Sequence, residues 1–170
     1  MGRAADLVLI RHAIAPASDS KRWPDDRQRP LDPRYLGRAR KAARGLKQLI
    51  DRPGLLLTSP LLRTRQTAEL LTQHAGWPAA VHCPQLEPGE APQALLELLS
   101  GEQDARLIAL VGHEPGLGEL ISCALLGQVK PGAFEMKRFA AAHLSFPEAP
   151  RAGQGQLRWL VTPRLLRGYR

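Results

Sequence analysis

Three short, unbroken apolar runs set most of what this chain can become. Leu7-Val8-Leu9-Ile10, Leu55-Leu56-Leu57 and Leu107-Ile108-Ala109-Leu110-Val111 contain no polar residue to turn toward water. Strands read this way when both faces are covered, as in a parallel sheet held between helical layers. Between the runs, apolar residues recur at helical spacing. Tyr35, Leu36, Ala39, Ala42, Ala43, Leu46 and Leu49 do so behind Asp32-Pro33, an N-cap candidate with proline at the first helical position. Leu61, Leu62, Ala68, Leu70 and Leu71 do so behind Ser59-Pro60, which reads as the cap and start of a second helix. A short strand over 80–83, a small helix over Gln93 to Leu99 and an apolar helix over Leu117 to Leu126 complete the alternation. Ala140 to Phe146 and Gln156 to Thr162 then read as neighbouring antiparallel strands. The pattern predicts an α/β fold, a three-layer αβα sandwich around a mostly parallel central sheet, in one domain over 1–170.

Composition narrows the function classes. The 170 residues are 44% hydrophobic, ordinary for a globular domain and too apolar for wholesale disorder. No apolar run approaches the ~20 residues that span a bilayer. Leu7 to Ile10 is too short for the core of an export signal, so the cytoplasm is the expected compartment. Cys83 and Cys123 form no C-x-x-C pair, which argues against a disulfide framework or a structural zinc, and they read as small packing residues. The unusual number is charge: Lys+Arg 24 against Asp+Glu 16 leaves +8, with a pI near 10.3. Such a balance favours anionic partners: nucleic acid, acidic protein surfaces or phosphorylated substrates. Aromatics at 5% provide few platforms for stacking bases.

In a parallel sheet, ligands bind beyond the carboxyl ends of the strands. Those ends read Arg11-His12, then Thr58-Ser59-Pro60 leading to Arg63, then Gly112-His113. Arg63 falls in the first turn of a helix, where the positive helix end favours a carboxylate. A cation there makes sense if an anion sits nearby, and the planar guanidinium suits a phosphoryl group. The segment from Ile14 to Pro33 holds four prolines and no periodicity, a loop long enough to frame a site. No metal or other cofactor is expected. Arg11 beside His12 would repel a divalent cation, and His113-Glu114 does not continue into H-E-x-x-H. His12 becomes the candidate nucleophile, because flanking arginines keep imidazole neutral and offset charge on a transferring phosphoryl group. His74 and His82 read as surface or packing residues, His143 as a satisfied residue of the Ala140 to Phe146 strand, and Arg164, Arg167 and Arg170 as a solvated basic tail over 163–170.

Leu9-Ile10-Arg11-His12-Ala13, the run from Thr58 to Ala68 (TSPLLRTRQTA) and Val111-Gly112-His113-Glu114 resemble the histidine phosphatase superfamily, with its phosphoglycerate mutase-like fold. Arg29-Pro30-Leu31 in the long loop, Leu86-Glu87-Pro88-Gly89 and Thr162-Pro163-Arg164 make the chain most similar to its small SixA-type phosphohistidine phosphatases. The resemblance implies that His12 is transiently phosphorylated, that Arg11, Arg63 and His113 form the phosphate pocket, and that Arg29 is a further contact. Ala13 stands where the family usually has glycine. Proline stands at Pro88, where many members carry a glutamate acid, leaving Glu87 and Glu90 near but off register.

A phosphomonoester must expel an alkoxide, which needs a proton in the transition state, whereas a phosphohistidine expels imidazole, a far better leaving group. The first reading is therefore a metal-independent phosphatase acting on a phosphorylated histidine-containing protein, a phosphotransfer domain or a phosphocarrier, with inorganic phosphate as product. A second is a phosphomonoesterase of the same fold using Glu87 or Glu90 as general acid. A third, a basic nucleic-acid-binding module, leaves the histidines without a role.

Overall fold

In the computed structural model, which describes residues 4–102 and 104–168, the apolar runs become β1 (Ala5–Arg11), β2 (Leu55–Thr58) and β4 (Leu107–Gly112). With β3 (Val81–His82), β5 (Ala141–Phe146) and β6 (Gln156–Val161) they form one sheet in the order β3-β2-β4-β1-β5-β6. The pairs β1·β4, β4·β2 and β2·β3 are parallel, and β5 runs antiparallel to both of its neighbours. The helices are α1 (Leu36–Leu49), α2 (Leu62–Ala75), α3 (Pro92–Ser100), α4 (Gly116–Leu126) and α5 (Pro163–Leu166).

Alternation along each strand divides the core in two. Leu7 and Leu9 face one side with Ile108 and Leu110, against Leu95 and Leu99 of α3 and Leu117, Leu120 and Ile121 of α4. Val8 and Ile10 face the other with Ala109 and Val111, against Leu46 of α1, Leu71 of α2 and Leu166 of α5. Each leucine or isoleucine fully buried this way contributes about 1.5–3 kcal/mol before chain entropy is counted. Covered on both faces, the sheet is the middle layer of the αβα architecture that its unbroken apolar runs require.

Three segments differ from the sequence reading. Asp32 does cap, accepting from Arg34 N, but it caps a 3-10 turn over Pro33–Tyr35 that precedes α1. Ser59 does not cap α2: the helix begins at Leu62 behind an extended Leu61, with no side-chain cap, and the Thr64 hydroxyl turns back to the Leu61 carbonyl at 2.7 Å. The basic tail is not simply solvated. Its Leu166 is fully buried, and α5 lies against α1 so closely that a Cβ on Gly45 would fall 1.8 Å from the Leu166 carbonyl oxygen. Arg164 stays exposed, and Arg170 lies outside the described residues. Cys83 and Cys123 are buried and free, with burial raising both thiols. No helix among the described residues is long and apolar enough to cross a membrane.

Candidate active site

The exits of β1, β2 and β4 are stitched together by their own main chains. His12 N donates to Gly112 O at 3.0 Å, and Ser59 N donates to Val111 O at 3.0 Å. Ser59 Oγ is hydrogen-bonded to His113 Nε2 at 2.9 Å, which is where the hydroxyl goes instead of capping α2. The rings of His12 and His113 come to 5.3 Å between centroids, tilted by 58°. Both rings and Arg63 are buried, with relative exposures of 6%, 4% and 5%.

The first turns of α2 organise the loops around these rings. Residues three and four apart share a helix face, and Arg63, Gln66 and Thr67 use theirs in three ways. Arg63 Nη1 donates to Asp26 O at 3.0 Å, and Gln66 Oε1 accepts from Leu31 N at 2.8 Å, so both ends of the 26–31 segment are tied down. Thr67 Oγ1 accepts from Ala13 N at 3.0 Å and donates to Arg63 O at 2.7 Å, fixing the chain just past His12. The block from Thr58 to Ala68 thus supplies scaffolding as well as a cation.

The tautomer of His12 follows from its partner. Nδ1 lies 2.7 Å from Ala13 O, and a carbonyl only accepts, so Nδ1 carries the proton and Nε2 keeps its lone pair. Burial, opposed by that hydrogen bond and reinforced by the charges of Arg63, Arg11 and Arg138, pushes the imidazole down to about 3. Burial, then His12, Arg63, Arg11 and Arg29, take His113 down to about 3 as well. Both rings are neutral at neutral pH. The three arginines are each aimed by one main-chain carbonyl. Arg11 Nη1 donates to Met136 O at 2.7 Å, Arg63 Nη1 to Asp26 O, and Arg29 Nη1 to Pro16 O at 2.7 Å. The Nε atoms of Arg11 and Arg63 are buried without a protein partner. Desolvated cations with open donors cost several kcal/mol each unless an anion meets them.

Arg11, His12, Arg63 and His113 therefore converge as the strand ends predict, and Arg29 joins them through Asp26, which pairs with both Arg29 and Arg63. Glu87 and Glu90 line a narrow cleft beside His113. The Glu87 carboxylate is held there by Arg27, whose Nη2 donates to Oε1 at 3.2 Å, while Glu90 is exposed. Roomier clefts lie elsewhere: about 530 Å³ between β3 and α3, and about 340 Å³ beside α2, and neither is lined by His12 or Arg11. No group of three or more His, Cys, Asp or Glu suited to a metal ion occurs among the described residues.

Sequence reasoning missed Asp26, Arg138 and the support behind Arg11. Glu114 Oε1 accepts from Met136 N at 3.2 Å, so the residue whose carbonyl aims Arg11 is itself anchored. Burial raises the Glu114 carboxyl. Its place in Gly112-His113-Glu114-Pro115 was the available signal.

Known proteins resemble the chain in sequence and in fold. The pattern of the histidine phosphatase superfamily (branch 1) matches residues 7–87. An uncharacterized protein of Picosynechococcus sp. is 38% identical over 130 residues, 72% of this chain and 74% of its own. The structure of the protein histidine phosphatase SixA complexed with tungstate superposes with a TM-score of 0.80 at 24% identity, over 95% of this chain and 99% of that one. A mutant phosphoserine phosphatase of Entamoeba histolytica, in complex with phosphoserine, gives 0.66 at 16% identity over 94% and 98%. The structural likenesses establish the phosphoglycerate mutase-like fold, and with the sequence matches they lead to one assignment: the chain belongs to the histidine phosphatase superfamily.

Proposed function

We propose that this phosphatase hydrolyses phosphohistidine on a protein, by way of a phosphoryl group carried on His12. The observation that carries the reading is the buried, neutral His12 with its Nδ1 proton committed to Ala13 O and its Nε2 lone pair free among arginines. Nε2 attacks phosphorus in line, the P–N bond to the substrate imidazole breaks, and that imidazole leaves with a proton from water. Arg11, Arg63 and His113 hold the phosphoryl oxygens, where transfer depends on positioning and charge. Water then attacks the phosphoryl group, giving inorganic phosphate and restoring the His12 lone pair.

Two features favour phosphohistidine over an ester. Pro88 occupies the position at which many relatives carry an acid, and Glu87 is already bound to Arg27. Transfer between two imidazoles does not need a strong acid, whereas expulsion of an alkoxide does. A protein partner also gives the net charge of +8 a use. The solvent side of α1 presents Arg38, Arg40, Lys41, Arg44 and Lys47, and no acid lies between Asp32 and Asp51. One observation keeps the ester reading alive: Glu87 and Glu90 share a cleft with His113.

The test is phosphate release, without added metal, from a phosphohistidine protein and from p-nitrophenyl phosphate in parallel, for wild type and His12→Ala. Release from the phosphoprotein that His12→Ala abolishes is the expected result. Faster release from the ester would transfer the argument to Glu87 and Glu90. Silence on both would remove the phosphatase reading and send the charge question to nucleic acid, with steep salt dependence as its signature.

A further inference from the structure

We propose that Asp26 is an internal competitor for the phosphate seat. Its carboxylate holds Arg63 and Arg29 in the free enzyme, yields them to the incoming phosphoryl group, and reclaims them as inorganic phosphate leaves. This deepens the function just argued and rests on the phosphate binding where that reading puts it.

Contact geometry is the first support. Asp26 Oδ2 lies 3.2 Å from Arg63 Nη2, while Oδ1 accepts from Arg29 Nε at 2.7 Å and Oδ2 from Arg29 Nη2 at 3.4 Å. One small anion thus bridges two guanidiniums, which is the contact a phosphoryl group makes with paired arginines. Arg11 has no such ion pair among the described residues.

Orientation is the second. Arg63 is already aimed by the main-chain carbonyl of Asp26, and Arg29 by the carbonyl of Pro16. The carboxylate adds negative charge to cations whose direction is fixed without it. Its effect is therefore to oppose another anion rather than to prepare the site for one.

Exposure is the third. The Asp26 side chain is 45% exposed, against 6% for Arg63 and 13% for Arg29. The acid can turn to water while the cations stay in place. Hydrogen bonds from Arg29 and Ser18, with Arg63 nearby, hold its carboxyl below the usual carboxylate range. A singly charged carboxylate competes well with other single charges and poorly with a phosphoryl group carrying nearly two. The consequence is weak retention of phosphate and resistance to ordinary cellular carboxylates, because an occupied seat lowers apparent affinity by the fraction of time it is free.

Calorimetric titration with inorganic phosphate separates the outcomes, using wild type, Asp26→Asn, Asp26→Glu and Arg63→Ala, with phosphate inhibition of turnover measured alongside. Asp26→Asn keeps the side-chain size and the main-chain carbonyl, removes the charge and turns one acceptor oxygen into an amide donor that no longer attracts the guanidiniums. It should bind phosphate about five- to tenfold tighter, with the inhibition constant falling in parallel, and Asp26→Glu should return to within about twofold of wild type. Tighter binding is a gain that local structural damage would not produce. Equal or weaker binding by Asp26→Asn, with binding still lost in Arg63→Ala, overturns the role of Asp26 and leaves the proposed function standing. Phosphate binding that survives Arg63→Ala overturns the seat itself, and both inferences with it.

Discussion

The two ends of β1 handle charge in opposite ways. At its start, Asp6 Oδ1 accepts from His143 Nε2 at 2.9 Å, Arg106 lies 3.9 Å away, and the His143 ring sits 5.4 Å from Trp159. Asp51 and Arg52 border the same cleft of about 300 Å³, so acids and bases meet there in reach of water. At its end, His12, Arg63 and His113 are buried with Arg11 half-buried beside them, and although Asp26 pairs with Arg63, two guanidinium Nε atoms are unpartnered. The histidine at the first end has a carboxylate, while the histidines at the second have each other, a serine and arginines. Charge that the fold needs, the fold satisfies. Charge left desolvated and open marks a site built around something that arrives from outside.

Substitutions at the two ends should separate them most widely. His12→Ala removes the attacking atom and should take turnover below detection. Arg63→Ala or Arg11→Ala removes one donor to the transferring oxygens, a loss of about 10²–10³ in kcat. Asp6→Asn and His143→Ala break a partly exposed pair worth about 1 kcal/mol or less. They should leave kcat/KM within about twofold, with a small drop in thermal stability. Steady-state kinetics on these variants, beside thermal melts, make the check. A large activity loss in His143→Ala without a stability loss would erase the distinction.

How much of this was legible follows the same division. Strand exits could be read because a strand buried on both faces has to be apolar, so the first polar residues after Ile10, Leu57 and Val111 stand out. Two arginines and two histidines from three separated blocks then fell on one sheet edge, where the sheet order makes β2, β4 and β1 adjacent. What stayed hidden depends on contacts between distant parts of the chain. Ser59 reads locally as a cap, and only the fold shows His113 taking its hydroxyl. Asp26 is one of several acids in an aperiodic loop, and nothing nearby in sequence links it to Arg63. The pairing of Glu87 with Arg27 crosses 60 positions. The tail looked free because its basic residues dominate, whereas the contact that matters is Leu166 on Gly45.

Acid should expose the buried histidines next. In the folded chain both resist protonation down to about 3, while unfolded they take a proton near 6.5. Between those values the unfolded state binds more protons, so stability falls as the pH drops from 6.5, by up to about 1.4 kcal/mol per pH unit for each ring. Above 6.5 that contribution is complete. Glu114, raised by burial, acts with the opposite sign, so the useful readout is a difference between proteins. Urea unfolding of wild type and of the double variant His12→Asn with His113→Asn, from pH 7 to 5, should show a shallower dependence in the variant. Parallel dependences would mean that the rings are not buried and neutral.

The smallest expected effect concerns a third treatment of charge. The α1 cations have no ion pair among the described residues, like Arg11 at the end of β1, yet they face water, where an unpaired charge costs almost nothing. Such a surface does not bind a small anion tightly, but it can speed the encounter with a large acidic partner. Lys41→Glu combined with Arg44→Glu should therefore lower kcat/KM on a phosphohistidine protein about three- to tenfold at low salt, with the gap closing as ionic strength rises. Turnover of p-nitrophenyl phosphate should not change, since neither residue touches the histidines or their arginines. An equal loss on both substrates would point to damage of α1 packing. No loss on the protein would leave these five cations a solvated surface that serves solubility, with recognition in the pocket alone.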